Sequence, residues 1–75
     1  MNKEKDIKKR LKVAEIIQTA RIQKDWTQEE LASRVGCARS TIQRIEAGKF
    51  SPNAEQLYEI LDTLGIELKI NNEII

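Results

Sequence analysis

The sequence predicts a mainly α domain of four to five helices closed by a short C-terminal β-strand. Three observations predict it. Apolar residues recur at intervals of three and four along most of the chain, Gly36, Gly48 and Gly65 stand where those runs stop, and strict alternation replaces the helical period after Gly65. This divides the chain into a helical unit, residues 1–65, and a strand unit, residues 66–75.

Ile7, Leu11, Ala14, Ile17 and Ala20 form the apolar stripe of a first amphipathic helix, Ile7 to Lys24, whose other face carries Lys8, Lys9, Lys12 and Glu15. Thr27 with Glu30 three residues on is a capping box, so a second helix runs from Gln28 to Val35. Gly36 supplies the backbone freedom for a sharp stop. Apolar spacing resumes at Ala38, Ile42 and Ile45, giving a third helix over Ala38 to Ala47 before Gly48. Ser51-Pro52-Asn53 reads as a turn and a cap, and Leu57, Ile60, Leu61 and Leu64 stripe a fourth helix ending at Gly65. Ile66 to Ile70 alternates as a strand, and Asn71-Asn72 can turn the chain before Glu73-Ile74-Ile75.

Seventy-five residues and 8.6 kDa hold one small domain with a thin core, which excludes a large enzyme. A single cysteine, Cys37, makes no internal disulfide, and without histidine the usual zinc spacings cannot be assembled, so neither metal nor cofactor is expected. No apolar run has the length of a membrane span, and Met1 to Lys12 lacks the apolar segment of a secretory signal, so no membrane partner and a cytoplasmic location are expected. Enzymatic activity is not expected either, because there is neither a nucleophile–base pair nor a phosphate-cradling glycine loop. The net charge of +1 hides an asymmetry: residues 1–50 hold 12 Lys/Arg against 7 Asp/Glu, and residues 51–75 hold 1 against 5. A basic half suits an anionic surface such as nucleic acid.

Two short helices joined at Gly36 form the helix-turn-helix arrangement, whose second helix lies in the DNA major groove. On a wheel of about 100° per residue, Ala38, Ile42 and Ile45 fall on the side facing the core. Arg39, Ser40, Gln43 and Arg44 fall within an arc of roughly 140° on the other side. That arc holds no acid. Arginine can grip guanine with two hydrogen bonds and glutamine can do so with adenine, so this face is suited to base edges and phosphates.

The run from Thr27 through Gln28-Glu29-Glu30-Leu31-Ala32 to Gly36, then Arg39-Ser40-Thr41-Ile42-Gln43-Arg44-Ile45-Glu46-Ala47-Gly48-Lys49 and Ser51-Pro52, resembles the phage-repressor (Cro-like, XRE, lambda-repressor-like) helix-turn-helix. The resemblance spans about Ile17 to Leu64. It implies that Gln28 opens the second helix on a phosphate, that Arg39, Ser40 and Arg44 face base edges, and that Thr41 and Lys49 lie near the DNA backbone. Gln43 is an additional contact. It also implies an Arg21–Glu46 pair joining the first and third helices. Ala38 departs from the pattern, since the family often caps the third helix with serine or threonine. Trp26, Leu31, Val35, Ile42, Ile45, Leu57 and Leu61 are expected in the core and Cys37 buried or half-buried in the turn. Phe50 either covers the core edge or lies near the DNA backbone.

A five-residue strand cannot satisfy its own backbone, and a second copy of the chain offers an edge, with Ile66, Leu68 and Ile70 as the apolar face of a homodimer. The helix-turn-helix followed by Leu64-Gly65-Ile66-Glu67-Leu68 also resembles HipB-like antitoxins, whose C-terminal strands pair in the dimer. The expected function is a sequence-specific, double-stranded-DNA-binding transcriptional regulator, a dimeric repressor. The alternative is an antitoxin of a type II toxin–antitoxin pair that binds a toxin protein and autoregulates its operon.

Overall fold

The structure, a computed structural model, describes residues 3–75, so the first two residues of the expected 1–65 unit lie outside it. Four helices and a terminal hairpin follow one another: α1 (Lys3–Gln23), α2 (Gln28–Val35), α3 (Arg39–Glu46), α4 (Ala54–Leu64), β1 (Lys69–Ile70) and β2 (Glu73–Ile74). Mutual burial of Ile17 from α1, Leu31 and Ala32 from α2, Ile42 and Ile45 from α3, and Ile60 and Leu64 from α4 makes one core. None of these seven side chains is more than 4% exposed.

Local chemistry sets the helix ends. Thr27 Oγ1 accepts from the Glu30 amide at 3.0 Å, while the Glu30 carboxylate accepts from the Thr27 amide at 3.0 Å, closing the capping box. Asn53 Oδ1 accepts from the Gln56 amide at 2.8 Å and caps α4 in the same way. After α3 the left-handed Gly48 (φ 72°) lets its own amide bond Ile45 and the Lys49 amide bond Arg44, which satisfies carbonyls of the last turn. A Cβ at Gly48 would also meet the tip of the half-exposed Leu11 side chain, which would have to shift, so it is the left-handed backbone that calls for glycine there. Asp25 (φ 58°) performs the same left-handed stop after α1.

Three expectations are corrected. Ile7 and Leu11, assigned to the buried stripe of the first helix, are 47% and 51% exposed. The reason is length: α1 has 21 residues against 8 and 11 in α3 and α4, the helices it packs on, so its first turns outrun the core. Ala38 is exposed rather than buried, because it is the N-cap of α3 and not part of its apolar stripe. The alternating run from Ile66 to Ile70 forms a strand only at Lys69–Ile70. Ile66 is consumed by the end of α4, where its amide bonds the Leu61 carbonyl at 2.9 Å and its side chain packs on the core. Asn71 and Asn72, at φ 51° and 69°, then fold the chain back so that Lys69 pairs with Ile74 and Ile70 with Glu73. The strand therefore finds its first edge within its own chain.

The caps give two predictions of opposite sign. Thr27→Ala is expected to cost about 1 kcal/mol, whereas Ala38→Ser is expected to gain a similar amount, because the N-cap of α3 has extended backbone and no side-chain bond. Chemical denaturation of the two variants checks both. The Glu30 carboxyl is held below the ordinary glutamate range by its hydrogen bonds with Thr27, and the Arg34 charge adds to the effect. Its folded value lies below its unfolded one, so its contribution is present above the unfolded value and is lost as pH falls through the folded value. The larger cause is the Thr27 backbone amide, which Thr27→Ala retains, so stability measured across that acid window is expected to keep most of its slope in Thr27→Ala and to lose this contribution to the slope in Glu30→Gln.

Candidate nucleic-acid interface

The helix α3 is positioned by two independent holds. From beneath, Ile42 and Ile45 are 0% and 1% exposed and lock the rotation of the helix against α1, α2 and α4. At its end, the Glu46 carboxylate accepts from Arg21 Nε at 2.8 Å, from Arg21 Nη2 at 3.0 Å and from the Gln28 side-chain amide at 3.2 Å. Arg21 Nη1 donates to the Trp26 carbonyl at 2.6 Å, so the same guanidinium also ties down the loop before α2. The Arg21 and Glu46 side chains are 11% and 2% exposed, which makes this a largely desolvated bidentate pair. The expected Arg21–Glu46 link is present, and Gln28 joins it.

With that rotation fixed, Arg39, Ser40, Gln43 and Arg44 are all exposed on the outward side of α3, and Thr41 is half-buried at its edge. The face they form carries donors and hydroxyls without a carboxylate, since Glu46 is turned inward onto Arg21. The Arg44 guanidinium stands 4.8 Å from the centre of the Phe50 ring. Phe50 itself is half-buried and packed on the core, so of its two expected positions the structure shows the core edge, with the ring also serving as a platform for Arg44. Lys49 is exposed in the loop just beyond Gly48. Gln28 is half-buried at the start of α2, with its amide on Glu46, and therefore adjoins the end of α3. Arg39, Ser40, Thr41, Gln43, Arg44, Lys49 and Gln28 are thus gathered along α3 and the two segments that flank its end.

The stacking of Arg44 on Phe50 and the Gln28–Glu46 bond were not visible from residue spacing. Neither was the coverage of Trp26, whose ring lies 4.2 Å from the Arg34 guanidinium and 5.3 Å from the Lys24 ammonium. Cys37 is half-buried in the turn, and burial pushes its thiol up, which makes it a poor nucleophile. At the opposite end of the chain, Ile66 and Leu68 are half-buried while Ile70 is 57% exposed. No helix among the described residues is long and apolar enough to cross a membrane.

Comparison with known proteins agrees with this geometry. The helix-turn-helix family model matches residues 17–70. Over 60 residues the chain is 38% identical to multiprotein-bridging factor 1 of Candida albicans, covering 80% of this chain and 40% of that protein. An uncharacterized HTH-type transcriptional regulator of Methanothermobacter thermautotrophicus is 49% identical over 41 residues, 55% of this chain and 59% of the relative. Another, of Archaeoglobus fulgidus, is 50% identical over 36 residues, 48% of this chain and 51% of the relative. The chain thus spans about half the length of these relatives. With the turn at Gly36, the outward α3 and the family match over residues 17–70 in agreement, the chain belongs to the XRE-type helix-turn-helix family of DNA-binding transcriptional regulators.

Proposed function

We propose that the protein is a dimeric, sequence-specific repressor that occupies an operator and reads its major groove with α3. The observation that carries the reading is the acid-free outward face of α3, held in one rotation by Ile42, Ile45 and the Arg21–Glu46 pair. In this reading Arg39, Ser40, Gln43 and Arg44 meet base edges, while Gln28, Thr41 and Lys49 meet the sugar–phosphate backbone. Affinity for duplex DNA is expected to fall steeply with salt, with about −0.9 in the slope of log K against log salt for each phosphate contact. A flat salt response, or equal affinity for every sequence, contradicts it.

Residues 1–65 carry the DNA surface in this proposal and residues 66–75 join two copies. What supports the second part is exposed apolar surface: Tyr58, Ile70, Ile74 and Ile75 are 43%, 57%, 66% and 65% exposed. Around them, Leu61, Ile66 and Leu68 line a groove between α4 and the hairpin. Ile70 then lies in the dimer contact, with Leu68 and Ile66 behind it. Deleting residues 65–75 is expected to lower the dimer population in sedimentation and to weaken operator binding more than it unfolds the helices. A monomer at micromolar concentration for the intact chain contradicts it. The same apolar surface supports a second reading, an antitoxin that buries it against a toxin protein, and co-purification with a neighbouring gene's product separates the two.

A further inference from the structure

The family match begins at residue 17, and α1 starts at Lys3, so the first half of this helix precedes the matched residues. Residues 3–12 of that half carry Lys3, Lys5, Lys8, Lys9, Arg10 and Lys12 against Glu4 and Asp6. The fold brings this basic segment to the end of the reading helix. Leu11 abuts Gly48, and Lys9 and Arg10 form one wall of a groove of about 390 Å³ whose other wall includes Phe50 and Ser51, directly after Lys49. Phe50 is the ring on which Arg44 rests. The Arg10 side chain makes no hydrogen bond or ion pair with another described residue, and its Nε is buried without an acceptor. Asp6 is the one carboxylate in the groove lining, so the local balance there stays positive.

We infer that the first half of α1 is a second phosphate-binding surface, in which Lys9 and Arg10 hold the backbone of duplex DNA flanking the bases read by α3. The inference rests on the proposed reading of duplex DNA by α3. The chemistry fits a phosphodiester: a guanidinium whose Nε is buried without an acceptor, the exposed ammonium of the adjacent Lys9, and Lys49 next in sequence to the Phe50 wall of the groove. Such contacts carry no base information, so they add affinity and salt dependence without changing sequence preference.

The test titrates the full chain and the Lys9→Gln, Arg10→Gln double variant against a set of labelled duplexes of different defined sequence, each of about three helical turns, over a salt series. The double variant is expected to lower the magnitude of the salt slope by about 1 to 2 units, with the ranking of duplex sequences unchanged. The Lys9→Arg, Arg10→Lys variant is expected to retain the parent slope. Should the double variant lose its helical circular dichroism, Lys9→Gln alone, at an exposed position, is expected to lower the slope by about 0.9. An unchanged slope in a folded variant overturns this inference and leaves the α3 reading standing. Saturable binding of inorganic phosphate that the double variant loses, with no change in duplex slope, also overturns it and assigns the groove to a small anion. If the intact chain binds no duplex at all, the α3 reading falls and this one falls with it.

Discussion

Replacing Glu46 with alanine is expected to destabilise the fold by about 3 to 5 kcal/mol, because it strands the Arg21 guanidinium in a site with little water. Three hydrogen bonds end on the Glu46 carboxylate, and two of them come from that guanidinium. Arg21→Ala is expected to cost a comparable amount, since it leaves a carboxylate that is 2% exposed facing only Gln28. The double variant is expected to lose much less than the sum of the two, because neither charge is then left alone. Denaturant unfolding of the four chains measures the coupling. Additive losses would show that the residues do not interact. The same variants are expected to weaken DNA binding without altering base preference, since the pair holds α3 in place and is turned away from its outward face.

The second large effect concerns reading as distinct from positioning. Arg44→Ala is expected to cost about 1 to 3 kcal/mol on the preferred operator and to relax preference at one base pair of each half-site. Its guanidinium lies on the outward side of α3 with Phe50 beneath it, so loss of the side chain removes a preorganised donor pair. Lys49 lies beyond Gly48 in the loop. Lys49→Ala is therefore expected to weaken all duplexes about equally and to reduce the magnitude of the salt slope by about one unit. Titration of both variants against the operator and its single-base changes separates the roles. Uniform weakening by Arg44→Ala together with altered base preference in Lys49→Ala would reverse the docking arrangement.

Elements set by neighbouring residues were legible in the sequence. The bounds of α2 follow from the Thr27–Glu30 capping box and the Gly36 stop, and the start of α4 follows from Asn53. The outward arc of α3 follows from its period alone, because an eight-residue helix with two buried isoleucines has one way to face the core. Features set by distant packing were not legible. Ile7 and Leu11 have the spacing of core residues, but α1 outruns the shorter helices it packs on, and both side chains stay about half exposed. The alternation at Ile66 to Ile70 hid the fact that Ile66 completes the end of α4 and that two asparagines return the strand onto itself. Phe50 under Arg44, and Gln28 on Glu46, join residues whose separation in sequence carries no period. The Arg21–Glu46 pair was expected only through resemblance, since 25 residues separate its members.

The most direct test of the claim that α3 reads base sequence is selection of bound sites from random duplex DNA by the intact chain. The expected result is an enriched motif made of two inverted half-sites whose centres lie about one helical turn apart, the spacing that a two-fold dimer imposes on its DNA. Arg44→Ala, selected in parallel, is expected to lose preference at one position in each half-site and to keep the spacing. Recovery of duplexes with no common motif, or of the same motif undiminished from Arg44→Ala, would show that α3 does not read the bases.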